Sequence, residues 1–426
     1  MKGARHFLLM FLFAAFFSCN EAEDKTPPLV LISSPTEGSS FQQMDEILIR
    51  AQISDNEQIV SVLSNILYSD GETVAINGPV IFPTSPNVNF KESILVEDSL
   101  LPTGNYFVRI EANDGTNTIA AFRSIQITGI PKRKLSLMLV TDAGSSSQLW
   151  EDKNDFLFQQ TINLGNRHHQ SIFQARNQEL WSAVQDGNEL SVHNLISKLR
   201  SFNQSFTQNF SAPYESLQAN GANVYYASKE ELVAYTLNQA IRFSVFPAAN
   251  RKFGKMQVGE RYLLLEESDL VNTNLQLKIL FNDNGAQFAA VYLNDPLVNG
   301  FFRGLSQAVL FQNKNGQGLI QELSVESSSI STILNLTDSI HEITQIDANR
   351  YLLSTNTGLY EFSYLNRSLT LRINIVGAKM AFDDLNQEVY VGQGNNVWRY
   401  SYPAFQLLQS GNSNQAIQQL MVRYNY

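Results

Sequence analysis

The chain has 426 residues and a mass of 47.9 kDa, a length that predicts two or three domains. Apolar residues make up 43% and charged residues 16%, which excludes a disordered body, and a net charge of −10 argues against a general nucleic-acid binder, whose phosphate contacts need clustered cations. The single cysteine, Cys19, excludes an internal disulfide framework, a CxxC redox site and a cysteine-cluster zinc site.

Lys2 and Arg5 precede an apolar run from Phe7 to Phe17 that is shorter than the ~20 residues a spanning helix needs. It has the form of a signal-peptide core. The run ends in Phe16-Phe17-Ser18-Cys19, which resembles a bacterial lipoprotein signal, in which a small residue precedes the cysteine that receives the lipid. The resemblance implies a signal peptide over 1–18 and lipidation of Cys19. The alternative is an ordinary secretory signal with a chance cysteine. Loss of Lys2 and Arg5 would leave the mature chain two charges more acidic. Residues 19–26 then form an acidic tether through Glu21, Glu23 and Asp24. This stretch resembles the surface-export signal of Bacteroidetes lipoproteins, beside the plainer reading of a hydrophilic spacer.

Residues 27–129 predict a β-sandwich. Ile47, Ile49, Ala51 and Ile53 alternate with Leu48, Arg50, Gln52 and Ser54, the period of a half-buried strand. Further strands fit Leu29–Ile32, Val60–Tyr68, Val88–Leu95, Tyr106–Ala112 and Thr118–Ile127, so that about seven short strands with turns between them are expected. The segment from Leu101 to Gly115 resembles bacterial Ig-like and cadherin-like domains, which implies that Tyr106 forms a tyrosine corner. Asp55, Asn56, Glu57 and Asp114 carry oxygens of the kind calcium takes, but Asp, Asn and Gly are also what turns require.

From residue 134 to 426 a pattern recurs: a polar turn, an apolar strand, a second turn, then an alternating strand. Leu137, Leu180, Val224, Tyr262, Ala308, Tyr351 and Val389 occupy matching positions, a repeat of about 42 residues. That length, with about four strands per unit and frequent Gly, Asn and Asp turns, predicts a seven-bladed β-propeller, six or eight blades being the alternatives. The first unit supplies three strands, near Ser136–Thr141, Ser147–Trp150 and Phe156–Thr161, and Ala416–Tyr424 is left over at the other end. This predicts that the C-terminal strand completes blade 1 as its innermost strand and closes the ring. Residues 179–190, 350–360 and 388–398 resemble the propeller units of bacterial two-component regulators and related extracellular sensors.

In a propeller, the turns leading from the outermost strand to the next blade share one face with those between the second and third strands. On that face we expect Arg167, His168, His169, Arg251, Lys252, Phe301, Phe302, Arg303 and Lys314, cations and aromatics gathered in an acidic protein. Arg pairs with carboxylates or phosphates, and exposed rings stack on sugars. The alternative is ordinary solvated turns. His168, His169 and His193 lack the spacing of a metal site, Asp383-Asp384 reads as a solvated turn, and Trp150, Trp181 and Trp398 read as packing between blades. No GxSxG, P-loop or GxGxxG occurs, and no cofactor, metal or catalytic set is expected. The expected function is that of an envelope lipoprotein, at the outer membrane or cell surface. It would bind a protein or glycan through a propeller held on an Ig-like spacer. The alternatives are a propeller enzyme acting on polysaccharide and an outer-membrane assembly or transport scaffold.

Overall fold

The computed structural model describes residues 26–425 except 97–100, 154, 166, 185–188, 207–213, 221–222, 237 and 273. The expected signal segment, Cys19 and the tether up to residue 25 lie outside the described residues. Every regular element among them is a β-strand, and the chain divides into two compact units, Met1–Pro131 and Lys132–Tyr426.

The first unit stacks two sheets. Leu29–Ser34, Glu46–Ser54 and Asn87–Leu95 form one; Ser39–Gln42, Thr118–Thr128, Gly104–Asn113, Ser61–Leu67 and Val74–Ile81 form the other, in that spatial order. Ile47, Ile49, Ala51 and Ile53 face Val108, Ile110, Ile125 and Ile127 in one core, as period-two alternation requires. The Tyr106 hydroxyl donates to the Pro102 carbonyl at 2.7 Å, the back-bond of a tyrosine corner.

Two strands here were not foreseen. One is Ser39–Gln42, which pairs parallel to Thr118–Thr128. The other, Val74–Ile81, contains Asn77-Gly78-Pro79, which reads as a turn. It forms a strand because it lies at a sheet edge, where proline costs no ladder bond. Gly78 is required there: a Cβ would lie 2.4 Å from the Ser64 carbonyl oxygen. The carboxylates of Asp55 and Asp114 accept backbone N–H groups of their own turns, from Glu57 and from Thr116 and Asn117.

The described residues of the second unit form seven four-stranded antiparallel sheets. Six follow chain order. In the remaining one the order is Gln159–Gly165, Ser147–Asp152, Lys134–Asp142 and then Ala416–Tyr424, so the last strand of the chain pairs with the first of this unit. The innermost strands, Ala416–Tyr424, His168–Gln174, Tyr214–Asn220, Arg251–Val258, Leu297–Phe302, Ile340–Asp347 and Lys379–Asp383, touch their neighbours in a closed cycle.

The core is divided among the gaps between adjacent sheets. Each gap holds its own apolar cluster, and the clusters also run in a closed cycle. This explains the sequence of the second strands. Leu137 and Leu139 pack into one gap while Met138 and Val140 pack into the next, so both faces of the strand must be apolar. All seven matching repeat positions fall in these second strands and are fully or nearly fully buried. Trp181 fills the gap between the second and third sheets, and Trp150 and Trp398 flank two other gaps.

Polar side chains join the innermost strands at their backbones. The Gln419 amide accepts from Ser171 N and donates to Ser171 O, both at 2.7 Å. Asn313, on the second strand of its sheet, does the same with Ile340 on the innermost strand of the next, at 2.9 and 2.8 Å. Such bonds satisfy buried backbone groups that no ladder reaches.

Asp383 corrects the expectation of a solvated acidic turn. Its side chain is fully buried and accepts from Leu385 N, Asn386 N and the Tyr424 hydroxyl, with Lys134 Nζ 3.7 Å away. Asp384 alone faces solvent, paired with Lys132 at 2.7 Å.

Candidate functional site

Six of the seven innermost strands line a central cavity of about 340 Å³, at the end where the chain crosses from one sheet to the next. Alternation on a strand sends every second side chain toward this axis, and the residues sent there are polar. Lys255 Nζ donates to the Glu215 carbonyl at 2.8 Å. Lys379 Nζ lies 3.0 Å from Glu342 Oε2, while Glu342 Oε1 accepts from Met380 N at 3.0 Å. His341 Nε2 meets Asn356 Oδ1 at 2.6 Å. His169 stands edge-on to the buried Tyr214 ring at 4.5 Å and is otherwise open to the cavity. Desolvation by the channel wall, followed by the charges of Lys255 and Lys379, holds the His169 imidazole down to about 4. Burial pushes the Glu342 carboxyl up, against the pull of Lys379.

A second cavity of about 340 Å³ lies beside this mouth, between the third and fourth sheets, and is lined by Glu215, Lys252, Gly254, Glu266, Ser268 and Asn294. The Glu266 carboxyl is buried and accepts from Leu297 N at 2.7 Å. It is pushed up to about 7, by burial first, with the Glu215 charge adding and the Leu297 N–H opposing. Room for it comes from a register shift between Phe253 and Met256. A Cβ on Gly254 would lie 2.5 Å from Glu266 Oε1.

A third cavity, of about 530 Å³, opens at the opposite end, and its less exposed charges, Arg423, Glu151 and Asp152, are engaged by neighbouring groups of the protein. Arg423 grips both oxygens of Glu151 at 3.1 and 3.0 Å, and Asp152 caps the N–H groups of Asp155 and Leu157.

No protein-family model matches the chain, and no curated protein matches it. Solved structures match in fold. A functionally unknown protein from Desulfotomaculum acetoxidans aligns with a TM-score of 0.50 at 10% identity, over 68% of this chain and 98% of that one. The WD40 β-propeller domain of Doa1 aligns at 0.48 and 13% identity, over 60% and 85% of the two chains. A protein of unknown function from Bacteroides caccae aligns at 0.43 and 8% identity, over 57% and 98%. Four-stranded sheets in a closed cycle around an axial channel define the architecture.

The second unit has a β-propeller fold.

The propeller sorts the expected ligand-face residues into three groups. Arg167 is exposed in the crossover between the first and second sheets, Lys314 is exposed at the end of its strand beside the turn at the same end, and His169 lines the channel mouth. His168 begins its strand, and its side chain lies outside the described residues. Arg251 and Lys252 begin the innermost strand of the fourth sheet. Arg251 is held by the buried Glu267 at 3.1 Å, and Lys252 lines the Glu266 cavity.

Phe301, Phe302 and Arg303 correct the third expectation. Asn299-Gly300 reads as a turn but lies within the innermost strand Leu297–Phe302. Both phenylalanines pack into the gaps on either side of their sheet. Arg303 emerges at the opposite end, 3.4 Å from the Tyr364 ring centroid and bonded to the Ala348 carbonyl at 2.9 Å.

His193 is buried in the third strand of its sheet, away from the channel, and burial lowers its imidazole to about 4. Among the described residues no three His, Cys, Asp or Glu side chains converge as a metal site would need.

Lys255, His341, Glu342, Lys379, Glu215 and Glu266 were not anticipated as site residues. A signal for two of them was present, since His341 and Lys379 open strands recognisable as innermost from the repeat.

Proposed function

We propose that this protein is an envelope-anchored binding module. In this reading Cys19 carries the lipid anchor at the outer membrane or cell surface, and residues 27–129 form an Ig-like domain. The seven sheets are the blades of a seven-bladed propeller closed by Ala416–Tyr424. The ligand, a protein or a glycan, engages the channel mouth. The observation that carries the binding reading is the convergence of Lys255, Lys379, His169 and His341 on one open cavity, beside the exposed Arg167 and Lys314. Concave sites with a few convergent polar groups are where ligands bind.

The sequence contains no cysteine besides Cys19, so one engineered thiol places a cross-linker cleanly. A probe on Lys314→Cys, at the mouth end, is expected to capture the ligand. The same probe on the exposed Asn366→Cys, in a turn at the far end, is expected to stay empty. Equal capture from both ends, or capture from the far end alone, would refute the assignment. The anchor is tested separately. Cys19→Ser is expected to move the protein from the membrane fraction to the soluble fraction, and undiminished membrane retention would exclude lipidation as the anchor.

A further inference from the structure

The channel mouth holds more positive charge than its own carboxylate neutralises. Lys255 makes one hydrogen bond, to a carbonyl, and no close ion pair among the described residues; its charge acts only at longer range on the Glu215 and Glu266 carboxylates of the adjoining cavity. Lys379 is paired at 3.0 Å with Glu342, the one acidic side chain among the described residues that lines this cavity. His169 faces the same space and is kept neutral there by the channel wall and by both lysines. A half-buried ammonium with no carboxylate in contact is only partly compensated. This chain has ten more acids than bases, and still its fold gathers two lysines and two histidines at one opening. The group missing from this arrangement is an anion.

We propose that the channel mouth binds an oxyanionic group, a carboxylate or a phosphate carried by a small ligand, held between Lys255, Lys379 and His169. The proposal rests on reading the mouth as the ligand-binding end. Lys255 keeps donor capacity after its bond to the Glu215 carbonyl, since an ammonium has three N–H groups. Charge-assisted bonds to an oxyanion are the strong ones. Glu342, fixed by Met380 N and Lys379, forms the wall that limits how deep the anion enters. An anion that offsets the two lysines lets His169 take up a proton and become a third donor.

The test titrates the purified full-length chain with inorganic phosphate, glucuronate and glucose. Heat is followed by calorimetry and the histidine side chains by NMR. Phosphate or glucuronate is expected to bind and to raise the His169 pKa by at least a unit, while glucose does neither. Whichever anion binds tighter tells a phosphate ligand from a sugar carboxylate. Lys255→Met is expected to weaken the anion about tenfold or more. Lys379→Met should weaken it at least as far, because Glu342 is then left to repel it. Lys91→Met, exposed in the first unit, should leave affinity unchanged.

The His169 titration needs no variant, so a misfolded Lys255→Met leaves the test intact. Anion binding that leaves His169 unmoved, or that survives Lys255→Met undiminished, is an adventitious ion only and overturns the proposal. No anion binding also overturns it. If glucose moves the His169 signal and the anions do not, the oxyanion is wrong while the ligand-binding mouth stands. If the cross-linker at Lys314 stays empty, that broader reading falls by its own experiment.

Discussion

Deleting residues 416–426 is expected to unfold the second unit rather than trim it. Ala416–Tyr424 pairs with Lys134–Asp142 along nearly its whole length. Its removal exposes a strand edge and opens the gaps on both sides of the first sheet. Ile417 and Leu420 are buried, and each contributes about 1.5–3 kcal/mol of transfer free energy. Arg423 leaves Glu151 behind with a side chain only 10% exposed, and breaking a buried pair costs about 3–5 kcal/mol. The Gln419 clamp on Ser171 and the Tyr424 bond to Asp383 go as well. These losses together approach the 5–15 kcal/mol that stabilises a typical domain. Chemical denaturation of the truncated chain should therefore lack a cooperative transition for the second unit. A truncation that keeps the full-length midpoint would show that closure contributes little.

The closing strand was legible because counting strands per repeat leaves three at one end and one at the other. The core positions were legible for a related reason. A strand buried on both faces, such as Lys134–Asp142, reads as a continuous apolar run, and its recurrence sets the repeat. The channel was less legible. Its residues alternate polar and apolar, and period two does not distinguish an axial channel from outer solvent. Lys255 therefore looks in the sequence like any exposed lysine. Phe301–Arg303 failed for a different reason. Asn299-Gly300 has turn chemistry, but the glycine serves close packing within a strand, where a Cβ would sit 3.3 Å from Leu310. Asp383 failed because its partners, Lys134 and Tyr424, lie at the two ends of the unit in sequence, and only closure brings them together.

That same closure makes Asp383→Ala the point substitution with the largest expected effect on stability. One carboxylate holds its own turn, through Leu385 N, Asn386 N and the Asn386 side-chain amide, and also ties Tyr424 to the incoming strand at Lys134. Alanine removes all of these acceptors from a site with no solvent access and leaves Lys134 with the Tyr390 hydroxyl and a looser pairing to Glu388, at 3.9 Å. The expected loss is about 3–5 kcal/mol. Asp383→Asn keeps one oxygen for the turn but removes the charge, and is expected to fall between wild type and alanine.

The pH dependence follows from Lys134. Burial already lowers its pKa below the usual 10.5, against the opposing pull of Asp383 first and then Glu388. Without Asp383 the folded-state pKa falls further, and the unfolded chain then binds more protons over a wider range. Stability of both variants should accordingly rise with pH toward 10.5, more steeply than in wild type. Urea denaturation at neutral and alkaline pH measures both effects. An asparagine variant as stable as wild type at every pH would show that the Asp383 charge plays no part in holding the ring closed.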